Sequence, residues 1–231
     1  MVKVFFAICI YLLMPLKELC AQEPLVLMKQ LQAKLEKIND YEADAGLKTE
    51  ISFMRVPDAV VKIYYKKPDK IKIKNQNGIS LVPKETMSIS LYSLVKSSYQ
   101  ALDAGNDMVQ GIPVRIIKLL PADENGELVL ATLYIDVSRL LVLKAKTTTR
   151  ENGTNEVELF YGKFLRTGLP DKIIFSFNTQ DFKLPKGVTF DYDDGSAKKK
   201  NTENIKNQRG KIEITYLAYT LNKGLSDSFF K

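Results

Sequence analysis

Tyr41-Glu42-Ala43-Asp44-Ala45-Gly46-Leu47-Lys48-Thr49-Glu50-Ile51-Ser52-Phe53 decides the fold of this 231-residue chain. Its odd positions are mostly apolar and its even positions are charged or small. A strand sends successive side chains to opposite faces, so this stretch reads as one long strand with a buried and a wet face. The phase survives the turn at Arg55-Val56-Pro57-Asp58, where Val61, Ile63 and Tyr65 stay odd and Lys62 and Lys66 take the other side. Lys67-Pro68-Asp69 turns the chain again, and Ile71 and Ile73 alternate with Lys70, Lys72 and Lys74. Three amphipathic strands joined by turns predict an antiparallel meander with one face covered. Glu42, Lys48, Lys62 and Lys72 should then face solvent, and Leu47, Ile51, Phe53, Ile63 and Ile71 should face inward.

Working outward, residues 24–39 place Leu25, Met28, Leu31, Leu35 and Ile38 at helical spacing, which predicts an amphipathic helix lying on the sheet. Ile79, Leu81 and Pro83 read as a short strand ending. Met87 to Leu102 carries Met87, Leu91, Leu94, Val95, Ser98 and Leu102 at spacings that predict a second helix. Strand signals then recur at Val114–Leu120, Leu128–Ile135, Leu141–Thr149, Val157–Leu165, Lys172–Phe177, Val188–Phe190 and Lys211–Tyr219, separated by turn residues such as Asp123-Glu124-Asn125-Gly126. Residues 191–209 are polar and aperiodic, as in a surface loop, and Leu225–Phe230 is an apolar terminus expected to dock. The expected class is α+β: one large curved antiparallel sheet of about ten strands with an N-terminal helix and a second helix.

Upstream of the sheet, Lys3, an apolar run from Val4 to Leu16, and Leu19-Cys20-Ala21-Gln22 have the layout of a cleaved secretory signal peptide. The run is too short for a bilayer, which takes about 20 apolar residues. Lys17-Glu18-Leu19 lacks the small residues a lipid-modified cysteine would want before Cys20. We therefore expect residues 1–22 to be a signal peptide and 23–231 to be one domain. The cut removes both cysteines, Cys9 and Cys20, and lowers the net charge from +7 to +6. That modest basicity, spread over strand faces, argues for solubility and against nucleic-acid binding.

Histidine is absent throughout. With no imidazole and no mature thiol, the commonest general base, the usual thiol nucleophile and most transition-metal ligands are missing. Asp191-Tyr192-Asp193-Asp194-Gly195 lacks calcium-loop spacing, and Gly195-Ser196-Ala197-Lys198-Lys199-Lys200 is not a phosphate loop. No catalytic constellation and no cofactor is expected. A sheet of ten strands has more inward apolar surface than two helices cover, so a dry cavity is expected instead. Its expected lining is Phe53, Tyr65, Ile73, Leu91, Leu94, Leu119, Leu133 and Phe175. With Leu91 and Leu94 on a loosely packed lid, Leu94→Glu should abolish ligand binding at little cost in stability.

Tyr64-Tyr65-Lys66-Lys67-Pro68-Asp69-Lys70-Ile71-Lys72-Ile73 resembles the Pro-Gly-Lys-Phe-Arg-Trp turn of the LolA-like outer-membrane lipoprotein carriers. Ile135-Asp136 and the closing Tyr219-Thr220-Leu221-Asn222-Lys223-Gly224-Leu225-Ser226-Asp227 are similar to the branch found in Bacteroidetes-type bacteria. The resemblance implies a half-barrel with lid helices over a hydrophobic cavity. It also implies a periplasmic, non-enzymatic and monomeric carrier or chaperone for acyl chains of lipoproteins or other lipids. Such a carrier would receive its load from an inner-membrane transporter and deliver it to an outer-membrane acceptor. Where the carrier has an arginine tied to lid closure this chain has Lys72, which makes Lys72 the lid-latch candidate; Ile73 fills the aromatic position. The alternative is an envelope protein-interaction or stress-sensing module, as in the related RseB-like anti-sigma regulators. Separately, Lys62, Lys66, Lys67, Lys70, Lys72 and Lys74 form a basic ridge that could dock anionic headgroups.

Overall fold

The computed structural model describes residues 23–51, 54–55, 57–75, 91–151, 153–178 and 209–230. The expected signal peptide, Phe53, Ile79, Leu81, Pro83, the expected Val188–Phe190 strand and nearly all of the expected 191–209 loop lie outside the described residues. So do positions 87–90 of the second helix.

Helix α1 spans Pro24–Leu35 and α2 spans Leu91–Lys96. The strands are β1 (Asp40–Ile51), β2 (Met54–Arg55), β3 (Ala59–Lys66), β4 (Lys70–Asn75), β5 (Tyr99–Val109), β6 (Ile112–Pro121), β7 (Leu128–Asp136), β8 (Leu141–Thr149), β9 (Gly153–Phe160), β10 (Lys172–Asn178) and β11 (Arg209–Leu221). They form one antiparallel open sheet in the order β4-β3-β1-β11-β10-β9-β8-β7-β6-β5, with β2 pairing β1 at one end. Every other neighbour in this order is also a neighbour in sequence or nearly so. The β1–β11 pairing is the long-range closure, from Tyr41 opposite Leu221 to Glu50 opposite Lys211. The α+β half-barrel expectation therefore holds.

The strand phase holds where it can be read. Ala43, Ala45, Leu47, Val61 and Ile63 are buried, while Lys48 is exposed and Lys62 reaches across the outer face to Glu42 at 2.6 Å. Two expectations about helices need correction. α1 ends at Leu35, and it buries Leu27, Met28 and Leu31 while Leu25 is half exposed. The stripe is rotated by the pair Leu27-Met28, which fits the groove over β6–β8 better than Leu25 does. α2 is shorter than the periodicity of residues 87–102 implied, because Tyr99–Leu102 belong to edge strand β5. That strand hid itself by having little to alternate. It is mostly exposed, carries Gly105 at φ +89° in a register shift between Asp103 and Asn106, and is tied to β6 by an Arg115–Asp103 ion pair. Similarly, the reading of 157–165 as one strand ran too far: β9 stops at Phe160, and Leu165–Thr167 is a single 3-10 turn.

The core is divided. One cluster joins α1 and α2 to β6–β9 through Leu27, Met28, Leu31, Leu94, Val95, Ile117, Leu133 and Ile135. The other joins β1, β3, β10 and β11 through Ala45, Val61, Ile63, Phe175, Ile212 and Ile214. α1 covers the first cluster only, so the inner face between the two is left to the short α2 and to loops.

On the outer face, the chain end crosses the β3–β4 hairpin as a strap. Asp40, almost fully buried, accepts hydrogen bonds from the backbone N–H groups of Lys223 and Gly224, which bends the chain back. Asp227 then meets Lys66 at 2.7 Å and Lys70 at 3.1 Å. Phe229 packs against Tyr64 with its ring tilted, and the ammonium groups of Lys72 and Lys74 lie over it. The basic ridge is thus no bare cationic face: Lys62, Lys66 and Lys70 are ion-paired, and Lys72 donates to the Phe229 carbonyl at 2.6 Å. Hydrogen bonds from Lys66 and Lys70 hold the Asp227 carboxyl below the usual carboxylate range. Its folded pKa lies below its unfolded one, so the tie is present at neutral pH and is lost as pH falls through the folded value. Asp227→Asn should therefore speed amide exchange across 225–230 at neutral pH and remove any further acid dependence there. Unchanged protection in the variant would show that the aromatic contacts alone hold the strap.

Among the described residues no helix is long and apolar enough to cross a membrane.

Candidate functional site

Between the two core clusters lies a cavity of about 250 Å³. Its floor is the inner face of β8–β11, with Ala145, Val157, Ile173 and Ile212; one wall is Tyr41, Ile63, Tyr65 and Ile71. Its roof is Leu35 at the end of α1 and Ile38 after it, Leu91, Tyr92 and Leu94 of α2, and Leu169-Pro170 in the loop before β10. Size contributes to this space: Ala145 on β8 lines it, where the neighbouring strands carry Val157, Ile173 and Phe175. No side chain on the lining carries a charge. Thr147 and Asn155, partners across β8 and β9, are the polar points of the floor.

Four of the expected lining residues, Tyr65, Leu91, Leu94 and Phe175, do come together on this cavity. Leu119 and Leu133 do not. They face inward as the phase required, but α1 lies directly over them and packs them solid. Ile73 faces the second core cluster near the open end of β4 rather than the cavity. Leu94 is both a lining residue and a core residue, only 5% exposed and packed in the cluster with α1. The expectation that Leu94→Glu is cheap therefore fails, because a charge there would be buried. Leu91, half-buried on the same helix, is the lid residue that can be changed at low cost.

Lys72 does not sit at the lid. Strand alternation that sends Ile71 into the cavity sends Lys72 to the outer face, against Phe229. The contact between lid and sheet is made instead by the turn between β3 and β4. The Ser93 hydroxyl donates to the Pro68 carbonyl at 3.1 Å, the Tyr65 hydroxyl approaches the same oxygen at 3.4 Å, and the Lys67 ammonium lies 5.8 Å from the centre of the Tyr92 ring.

One feature of the wall escaped sequence reasoning: a tyrosine cluster. Tyr41 stacks on Tyr65 at 5.0 Å and meets Tyr219 edge-on at 5.3 Å, and Tyr216 stacks on Tyr219 at 4.8 Å. The hydroxyls of Tyr41 and Tyr219 are hydrogen-bonded to that of Tyr216, and Tyr219 donates to the Pro170 carbonyl at 2.9 Å. Tyr216 was legible as an inward residue. Tyr219 was not, because a bulge at Leu217 shifts the phase: Ala45 pairs Tyr216 while Asp44 pairs Ala218. Burial pushes the Tyr216 phenol up to about 12 and raises those of Tyr41, Tyr219 and Tyr161 as well. Desolvation is the largest cause in each, so this environment disfavours charge. The arrangement can hold an apolar chain and offer it neutral hydroxyls; among the described residues no group of three His, Cys, Asp or Glu could hold a metal ion.

No protein-family model and no curated protein sequence matches the chain. Solved structures do. A domain described as an outer membrane lipoprotein-sorting protein, from Vibrio parahaemolyticus, superposes with a TM-score of 0.59 at 10% identity, covering 90% of this chain and 96% of that one. A DUF1329 family protein from Desulfovibrio piger gives 0.55 at 13% identity, covering 90% and 97%. A LolA superfamily protein from Nitrosomonas europaea gives 0.52 at 11% identity, covering 88% and 97%. At such identities the likeness is one of architecture, and over nine-tenths of its length this chain has the LolA-like fold.

Proposed function

We propose that this protein is a non-enzymatic carrier or chaperone of the bacterial envelope. It takes up acyl chains of lipoproteins or other lipids in the cavity and moves them across the periplasm toward the outer membrane. The observation that carries this reading is the uncharged cavity beneath a short helix, between two packed core clusters. Lipoprotein sorting named for one structural neighbour supports the same cargo, and the signal-peptide layout of residues 1–22 supports export. An inner-membrane transporter as donor and an outer-membrane acceptor would complete the route, with the protein working as a monomer.

The mechanism would rest on apolar transfer. Each methylene moved out of water contributes about 0.8 kcal/mol, so a dozen buried methylenes outweigh the cost of ordering one chain. Toward the β3–β4 turn the lid contacts are polar, Ser93 to Pro68 and Lys67 beside Tyr92, and break at little cost, while Leu94 and Val95 hold α2 to the core cluster beside α1.

Native mass spectrometry of the protein as isolated tests the reading, followed by titration with a fluorescent fatty-acid or diacyl-lipopeptide probe. Co-purified lipid and saturable binding are expected. Leu91→Glu should weaken the probe about tenfold or more while shifting the melting temperature by only a few degrees. A protein that carries no lipid and binds neither probe is not a carrier.

A further inference from the structure

The charge pattern around the cavity is uneven. Along the outward strand faces Lys62, Lys66, Lys70 and Lys144 each reach a carboxylate within 3.1 Å. At the lid, two lysines reach none among the described residues. Lys67 in the β3–β4 turn and Lys96 at the end of α2 instead hold their ammonium groups 5.8 and 5.5 Å from the centre of one ring, that of Tyr92. Tyr92 itself lines the cavity. Lys67 is fixed there by donating to the Glu36 carbonyl at 3.2 Å, and the Ser93 hydroxyl lies next to Tyr92 on the helix. The neutral interior and these two cations therefore meet at a single side chain.

The geometry points to an anionic headgroup site at the cavity mouth, formed by Lys67 of the β3–β4 turn and Lys96 at the end of α2, so that the preferred cargo is an anionic amphiphile. This rests on the carrier reading and narrows its substrate class. An anion cannot follow the chain inside, where no lining side chain carries a charge and burial already raises the tyrosine phenols. At the mouth it meets two ammonium groups that are ion-paired with no carboxylate among the described residues. Binding there also bridges the β3–β4 turn to α2, so a seated headgroup would hold the lid closed over its own chain.

Palmitoyl lysophosphatidylglycerol and monopalmitoylglycerol carry the same chain and differ in the phosphate, and both can be titrated below their critical micelle concentrations. The wild type should bind the anionic lipid about tenfold more tightly, with the difference shrinking as salt is raised. Lys67→Gln/Lys96→Gln should abolish the preference, read as the ratio of the two affinities within the one variant, so that any effect on the lid itself cancels. Equal affinities in the wild type, or a preference that survives in the double variant, overturns the headgroup site and leaves the carrier reading standing. Complete competition by inorganic phosphate against the anionic lipid, chain and all, likewise overturns it in favour of a free-anion site. If neither lipid binds, both readings fall together.

Discussion

Leu31→Ala should lower the melting temperature by roughly 10 °C, whereas Leu91→Ala on the other helix should lower it by less than about 3 °C. Both are leucines on helices above the same sheet, and their burial tells them apart. Leu31 is only 1% exposed and packs with Val142, Leu133 and Ile135 in the larger core cluster. Truncating such a side chain leaves a hole and loses about 2–5 kcal/mol, and each kcal/mol is worth about 2–4 °C in a protein of this size. Leu91 looks into a space that is already empty, so little packing is lost. Thermal melts of the two variants separate the roles: α1 is a fixed wall and α2 is the movable part. Equal losses would mean that α2 is as firmly built in as α1, and the opening step would have to be sought elsewhere in the roof.

How much of this was legible follows from which contacts are local. The alternation from Tyr41 to Ile73 wrote out the faces of β1, β3 and β4, because each inward residue meets a partner whose phase is set by a nearby turn. The single large sheet followed from counting such strands, and the half-barrel from the resemblance to the LolA-like carriers. Two kinds of information were missing. Where a helix comes to rest is set by the whole sheet, so Leu119 and Leu133 looked like cavity residues until α1 was seen lying on them. Where the phase slips is set by a bulge, and the slip at Leu217 turned Tyr219 into the cavity without any sign in the local pattern. Lys72 failed as a latch for the opposite reason: its phase was plain from the sequence, and it pointed outward. Analogy of position outweighed alternation there, and alternation was the better guide.

Val157→Trp should reduce probe affinity about 100-fold and leave the melting temperature almost where it was. Val157 sits mid-floor on β9, half-buried, between Ala145 on β8 and Phe175 on β10. All three line the cavity. An indole at this position projects into space that no protein atom fills. If it displaces about four methylenes of a bound chain, the loss is about 3 kcal/mol, or roughly 100-fold. In a packed core the same enlargement forces strained rotamers and costs about 1–3 kcal/mol. Leu133→Trp supplies that comparison, since Leu133 shares the sheet but lies fully buried under α1. The expected pattern is therefore crossed. Val157→Trp loses binding and keeps its melting temperature, while Leu133→Trp melts several degrees lower and, where folded, still binds. A Val157→Trp protein that melts as low as the Leu133 variant would mean that the space is closed in solution by side chains moving into it. One that stays stable and binds the probe at wild-type affinity would place the acyl chains outside this cavity altogether.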